Sequence, residues 1–122
     1  MTATKDGAPT VARNEVVLVG RVSAPADQVE LPSGDHLTSF RLVVDRGPSR
    51  RRVPAGVRAP TIDTFDCVVW TAALQRTARS WGAGDLVELH GAARRRFFRV
   101  GASVQSRFEI EVLSAKRLRK AA

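Results

Sequence analysis

The chain has 122 residues, 43% hydrophobic and 26% charged, which suits one domain with a modest core and excludes two domains with a catalytic cleft between them. Twenty Lys and Arg against 12 Asp and Glu give a formal net charge of +8, which points to a polyanionic partner, either nucleic acid or an anionic membrane surface. There is no run of ~18 apolar residues to span a membrane, Met1–Asn14 lacks the apolar stretch of a signal peptide, and the one cysteine, Cys67, has no partner for an internal disulfide.

Residues 1–13 mix small, polar and charged residues without periodicity and read as a disordered arm. Asn14–Val22 (NEVVLVGRV) is rich in β-branched residues and predicts a strand, with Gly20 marking a bulge or sharp bend of a curled sheet. Val29 and Leu31 alternate with polar neighbours before the turn Pro32-Ser33-Gly34-Asp35. His36–Asp45 alternates throughout: Phe40, Leu42 and Val44 form a core face, and Ser39, Arg41 and Val43 the opposite one. Arg46–Pro60, with three prolines and two glycines, predicts a long basic loop. Thr61–Thr71 is the next strand, with Asp66, Val68 and Trp70 on one side, Trp70 expected in the core, and Phe65 on the solvent side.

The period then changes. Leu74, Ala78 and Trp81 share one face of a short helix over Ala72–Trp81, ended by Gly82 and Gly84. Asp85–Arg99 returns to strand with Val87 and Leu89 as core, and a loop is expected over Val100–Ser106. Phe108, Ile110 and Val112 alternate as a buried final strand, and Ala115–Ala122 reads as a frayed basic tail after a folded domain spanning 14–114. The fold class is all-β: five strands with one short helix between strands 3 and 4. That is the order of the oligonucleotide/oligosaccharide-binding (OB) barrel, which binds across strands two and three and the adjacent loops.

The basic residues are segregated along the chain. Arg46–Arg58, Arg94–Arg107 and Lys116–Lys120 hold fourteen of the 20 and contain no acid, so the remainder carries all 12 acids. Such clustering suits a face that receives phosphates. Chemistry of other kinds finds little support. His36 and His90 stand alone, Cys67 has no second ligand at metal spacing, and Asp63 and Asp66 fall on opposite sides of a strand. Neither a G-x-S-x-G elbow nor a phosphate-binding P-loop occurs. No enzyme activity, metal or cofactor is expected.

Several segments together resemble the bacterial single-stranded DNA-binding protein family. They are Asn14–Val22, Phe40–Val44, Phe65–Trp70 (FDCVVW) and Leu74–Gly91 (LQRTARSWGAGDLVELHG). The resemblance covers about residues 14–113 and implies an OB fold, a homotetramer and sequence-tolerant binding of single-stranded DNA in replication, recombination and repair. It implies a cytoplasmic, nucleoid-associated protein with no membrane partner. Phe65 and Phe98 match stacking aromatics of the family, with Phe97 beside the second. The expected binding set adds the cations Arg41, Arg46, Arg50, Arg51, Arg52, Arg94, Arg95, Arg96, Arg99 and Arg107. Two departures matter. Aromatics usual near the ends of strands two and three are missing, so charge is expected to replace part of the stacking. The acidic tip that recruits partner enzymes in the family has no counterpart in Lys116–Ala122, so an accessory paralogue is expected. Two alternatives remain: an RNA-binding OB module, and an interaction subunit whose basic loops contact an acidic protein.

Overall fold

The computed structural model describes residues 11–48 and 52–122. Its elements in chain order are β1 (Val16–Val22), β2 (Asp27–Glu30), β3 (His36–Asp45), β4 (Ile62–Val69), α1 (Ala72–Arg79), β5 (Leu86–Val100) and β6 (Ser103–Arg119). The sheet runs β1-β5-β6-β4-β3-β2, and a further pairing of β1 with β3 closes β1, β3, β4, β6 and β5 into a five-stranded barrel. β4 and β6 run parallel, while the other paired strands are antiparallel. This is the OB barrel. The short β2 pairs only with β3, so counting it places α1 between the fourth and fifth strands; within the closed circuit the helix still follows the third.

Two glycines let the barrel close. β1 pairs with β5 along Val16–Arg21 and reaches β3 through Arg21 and Val22. At Gly20 a Cβ would run into the carbonyl oxygen of Val43 on β3, so the bend read from the sequence is a close approach of two strands. Gly91 sits at a register shift between β5 and β6, where a Cβ would strike the Glu111 carbonyl.

The core gathers Val22, Phe40, Leu42, Cys67, Val69, Trp81, Val87, Leu89, Ile110 and Val112. Trp81 meets Phe40 edge-to-face, ring centroids 5.5 Å apart, and so fixes the end of the helix segment against β3. Ala78 is buried as the helical spacing requires, and Leu74 packs at the core margin. Gln75, a polar residue on the same side of α1, is buried too. Its amide nitrogen donates to the carbonyls of His36 (3.0 Å) and Trp70 (2.9 Å), and its oxygen accepts from Thr38 at 2.9 Å. A fully satisfied amide therefore clamps the helix across the β3 and β4 ends.

The structure corrects several expectations. Phe65, expected to face solvent, is half-buried and packs against the core. The pairs Leu42↔Phe65 and Phe40↔Cys67 turn Phe65, Cys67 and Val69 inward together. Trp70, expected in the core, is 40% exposed. The run FDCVVW is apolar on both faces, and only its register with β3 decides which side is inside. Phe108 is 52% exposed rather than buried, because β5 and β6 pair far past the barrel wall as a two-stranded arm. The expected loop at Val100–Ser106 shrinks to a turn at Gly101-Ala102, with Gly101 at φ 58°. Residues 115–119 are not frayed: they complete β6, with Arg119 paired to Leu86. Of the expected N-terminal arm, residues 1–10 lie outside the described residues, and residues 11–13 are exposed without regular structure.

Asp85 anchors that chain end. Its buried carboxylate accepts from the Ala121 N–H (2.8 Å) and the Gly82 N–H (2.9 Å), with Arg117 at 3.5 Å. The Ala121 bond first, then the Gly82 bond, hold its pKa below the ordinary aspartate value. A depressed carboxylate pKa stabilises the fold above the unfolded value, and that contribution disappears as pH falls through the folded one. Asp85→Asn should therefore lower the thermal midpoint at pH 7, and its gap to the parent should close as pH drops below the ordinary aspartate range; a pH-independent gap would contradict this. Gly91→Ala should cost about 1–3 kcal/mol through backbone overpacking, read as a lower urea midpoint with an unchanged m-value.

Candidate nucleic-acid interface

Alternation and register sort the site residues by face. Because Val68 pairs with Glu111 across β4 and β6 and with Ser39 across β4 and β3, one outward face runs over β3, β4, β6 and β5. It carries Ser39 and Arg41, then Asp66 and Val68, then Arg107, Glu109 and Glu111, and lastly Arg94, Arg96 and Phe98. A cleft of about 330 Å³ opens on it, lined by Arg41, Asp66, Val68, Arg107 and Glu109, with Ser23–Pro25 of the β1–β2 connection along one side. This is the side on which an OB barrel presents its ligand face.

The expected cations divide into three groups. Arg41, Arg94, Arg96 and Arg107 come together on this face. Arg46 and Arg52 lie on the connection between β3 and β4, while Arg50 and Arg51 fall outside the described residues. Since β4 and β6 run parallel, this connection and the β5–β6 arm leave the barrel at the same end. Arg95 and Arg99 belong to the opposite face of the arm. Phe97 and Phe98 do point to opposite sides, and both are open to solvent, at 67% and 39%.

The clustering in sequence does not survive as bare positive charge. Long-range pairing brings acids to four of the expected cations. Arg41 Nε lies 3.3 Å from Asp66 Oδ1, Arg46 Nε 2.9 Å from Asp63, Arg94 Nε 3.0 Å from Glu111 and Arg96 Nε 2.9 Å from the buried Glu109. All four closest approaches use Nε: those of Arg41, Arg46 and Arg94 are hydrogen bonds, while Arg96 Nε lies at ion-pair distance without forming one, so the terminal nitrogens keep donors for a phosphate. Among the described residues Arg95, Arg99 and Arg107 have no carboxylate within ion-pair distance. The acid partners sit 17 to 25 residues from their arginines, except Glu109, which is 13 away on the facing strand. Sequence proximity could not reveal them; the strand register does.

Burial, then the Asp66 charge, pushes the Cys67 thiol up to about 12, so it stays protonated at neutral pH. Among the described residues no three His, Cys, Asp or Glu side chains gather as they would around a metal ion. No described helix is long and apolar enough to cross a membrane.

Solved structures of similar fold include a Plasmodium falciparum SSB in complex with ssDNA. It has a TM-score of 0.68 and 18% identity over 93% of this chain and 100% of that one. Another is the mitochondrial single-stranded DNA binding protein Rim1 of S. cerevisiae, at TM-score 0.64 and 12% identity, covering 91% of this chain and 100% of that one. At these identities the likeness speaks for the fold. No curated protein matches the sequence. The profile of the single-strand binding protein family matches residues 13–118, nearly the whole described barrel and arm. The chain belongs to the single-strand binding protein family.

Proposed function

We propose that this protein binds single-stranded DNA without reading its sequence, and that it protects the strand in replication, recombination or repair without catalysing a reaction. Family membership supports the binding partner, as does a similar fold described in complex with ssDNA. The observation that carries the reading is the outward face. Arg41 and Arg107 line the cleft there, and Arg94, Arg96 and an exposed Phe98 share the same face on β5, supplying cations for phosphates and a ring for a base. A homotetramer and a place on the nucleoid, both implied by the family resemblance, belong to the same proposal.

Binding on this face exchanges one anion for another. A phosphate arriving at Arg41 meets a guanidinium already neutralised by Asp66, so each contact adds less than a bare arginine would. Phe65 no longer serves as a clean probe of stacking, since its truncation would open the core margin. Phe98 is the better choice.

Fluorescence anisotropy with labelled dT, rU and duplex oligomers of equal length tests the reading over a salt series. Preference for dT is expected, with log K falling linearly against log salt. Arg107→Ala should flatten that slope by ~0.7, and Phe98→Ala should weaken binding by ~1–3 kcal/mol at every salt concentration. Equal or tighter rU binding would move the assignment to RNA, and no binding of any oligomer at low salt would remove it. Asp66→Asn should act in the opposite sense, tightening dT binding severalfold at low salt with the gain shrinking as salt rises; weaker binding would mean that Asp66 positions Arg41 rather than masking it.

A further inference from the structure

The arm has a second face, and its chemistry differs from the first. The last core layer shared by β5 and β6 is Ala93 opposite Ile110. Beyond it the same side of the ribbon carries Arg95 opposite Phe108, Phe97 opposite Ser106 and Arg99 opposite Val104. This is the surface that lines the barrel interior, continued past the point where other strands cover it. Phe97 is 67% and Phe108 52% exposed. Arg95 is held in place: its guanidinium carbon lies 6.0 Å from the Phe108 ring centroid, and its Nη1 donates to Ser106 Oγ at 3.1 Å. No Asp or Glu stands on this stretch of either strand, whereas Glu109 and Glu111 share the outward face with the arginines there.

We propose that this face, built from Arg95, Phe97, Arg99 and Phe108, is a second platform for single-stranded nucleic acid, distinct from the outward face. The proposal rests on the binding function proposed above. Rings and cations together, without acids, match what unpaired bases and their phosphates require. Phe97 and Phe108 sit diagonally across the ribbon, ~7–8 Å apart at the backbone, near enough to serve neighbouring bases. The same composition argues against self-association. An isologous contact would bring the Arg95 and Arg99 of both copies into one interface with no carboxylate on the patch to relieve the repulsion. A longer strand would thus leave the outward face, pass the end of the arm and be held on its other side.

The experiment compares labelled dT of a length that fills one OB site, ~4–16 nucleotides, with dT of twice that length. The proteins are the parent, the Phe97→Ala/Phe108→Ala double variant and Phe97→Leu, which keeps apolar bulk but removes the ring. The double variant should bind the short strand as the parent does and lose at least tenfold on the long one, with Phe97→Leu losing part of that and all three eluting at one volume in size-exclusion chromatography. Parental affinity for the long strand in the double variant overturns the second platform, as do equal losses on both lengths. A shifted elution volume in the double variant also overturns it, in favour of a protein contact. Failure of the parent itself to bind either strand would instead sink the binding function on which the platform rests.

Discussion

The pairing of β5 with β6 governs this molecule. The two strands stay hydrogen-bonded from Leu86↔Arg119 to Val100↔Ser103, although the barrel uses only the part up to Ala93↔Ile110. One continuous ladder therefore both closes the core and projects the arm. Its register sets Arg94, Arg96 and Arg107 beside Glu109 and Glu111 on one side and leaves Arg95, Phe97 and Phe108 together on the other. Gly91, which admits the Glu111 backbone at the register shift, and Asn14, whose amide forms two hydrogen bonds with the Ala93 backbone (2.7 and 2.9 Å), hold the ladder where the arm departs.

The electrostatics follow from that geometry. A net charge of +8 suggests a strongly attractive surface, yet much of the positive charge on the outward face is already engaged by carboxylates. A protein built this way relies on exchange: long-range attraction comes from the overall charge, while local contacts are made by arginines that share their donors between an internal acid and an incoming phosphate. Affinity is then more easily raised by removing an acid than by adding a base. The acid-free side of the arm lacks this restraint, which is why its two rings and two arginines stand out chemically from the rest of the surface.

Much of this fold was legible because it is written locally. Alternation marked β3 and the interior of β5, helical spacing placed Ala78 and Trp81, and Gly20 signalled the bend of β1. The misreadings share a physical cause. Phe65 and Trp70 lie in a run that is apolar on both faces, so its inside is chosen by the partner strand. Phe108 continues the alternation of Ile110 and Val112, but periodicity does not tell where the barrel wall ends. Gln75 is buried because the Trp70 carbonyl just before the helix and two polar partners from distant β3 satisfy it, which no spacing rule anticipates. The acids beside Arg41, Arg46, Arg94 and Arg96 are likewise set by register.

The most direct test of the central claim is an NMR titration that follows the arginine Nε–Hε signals as a dT oligomer is added. Arg41, Arg94 and Arg96, whose Nε groups face Asp66, Glu111 and Glu109, should shift together with Arg107 as phosphates enter the outward face. Arg76 and Arg79 on α1 should stay in place. Shifts confined to α1, with the outward-face signals unmoved at saturation, would contradict the account.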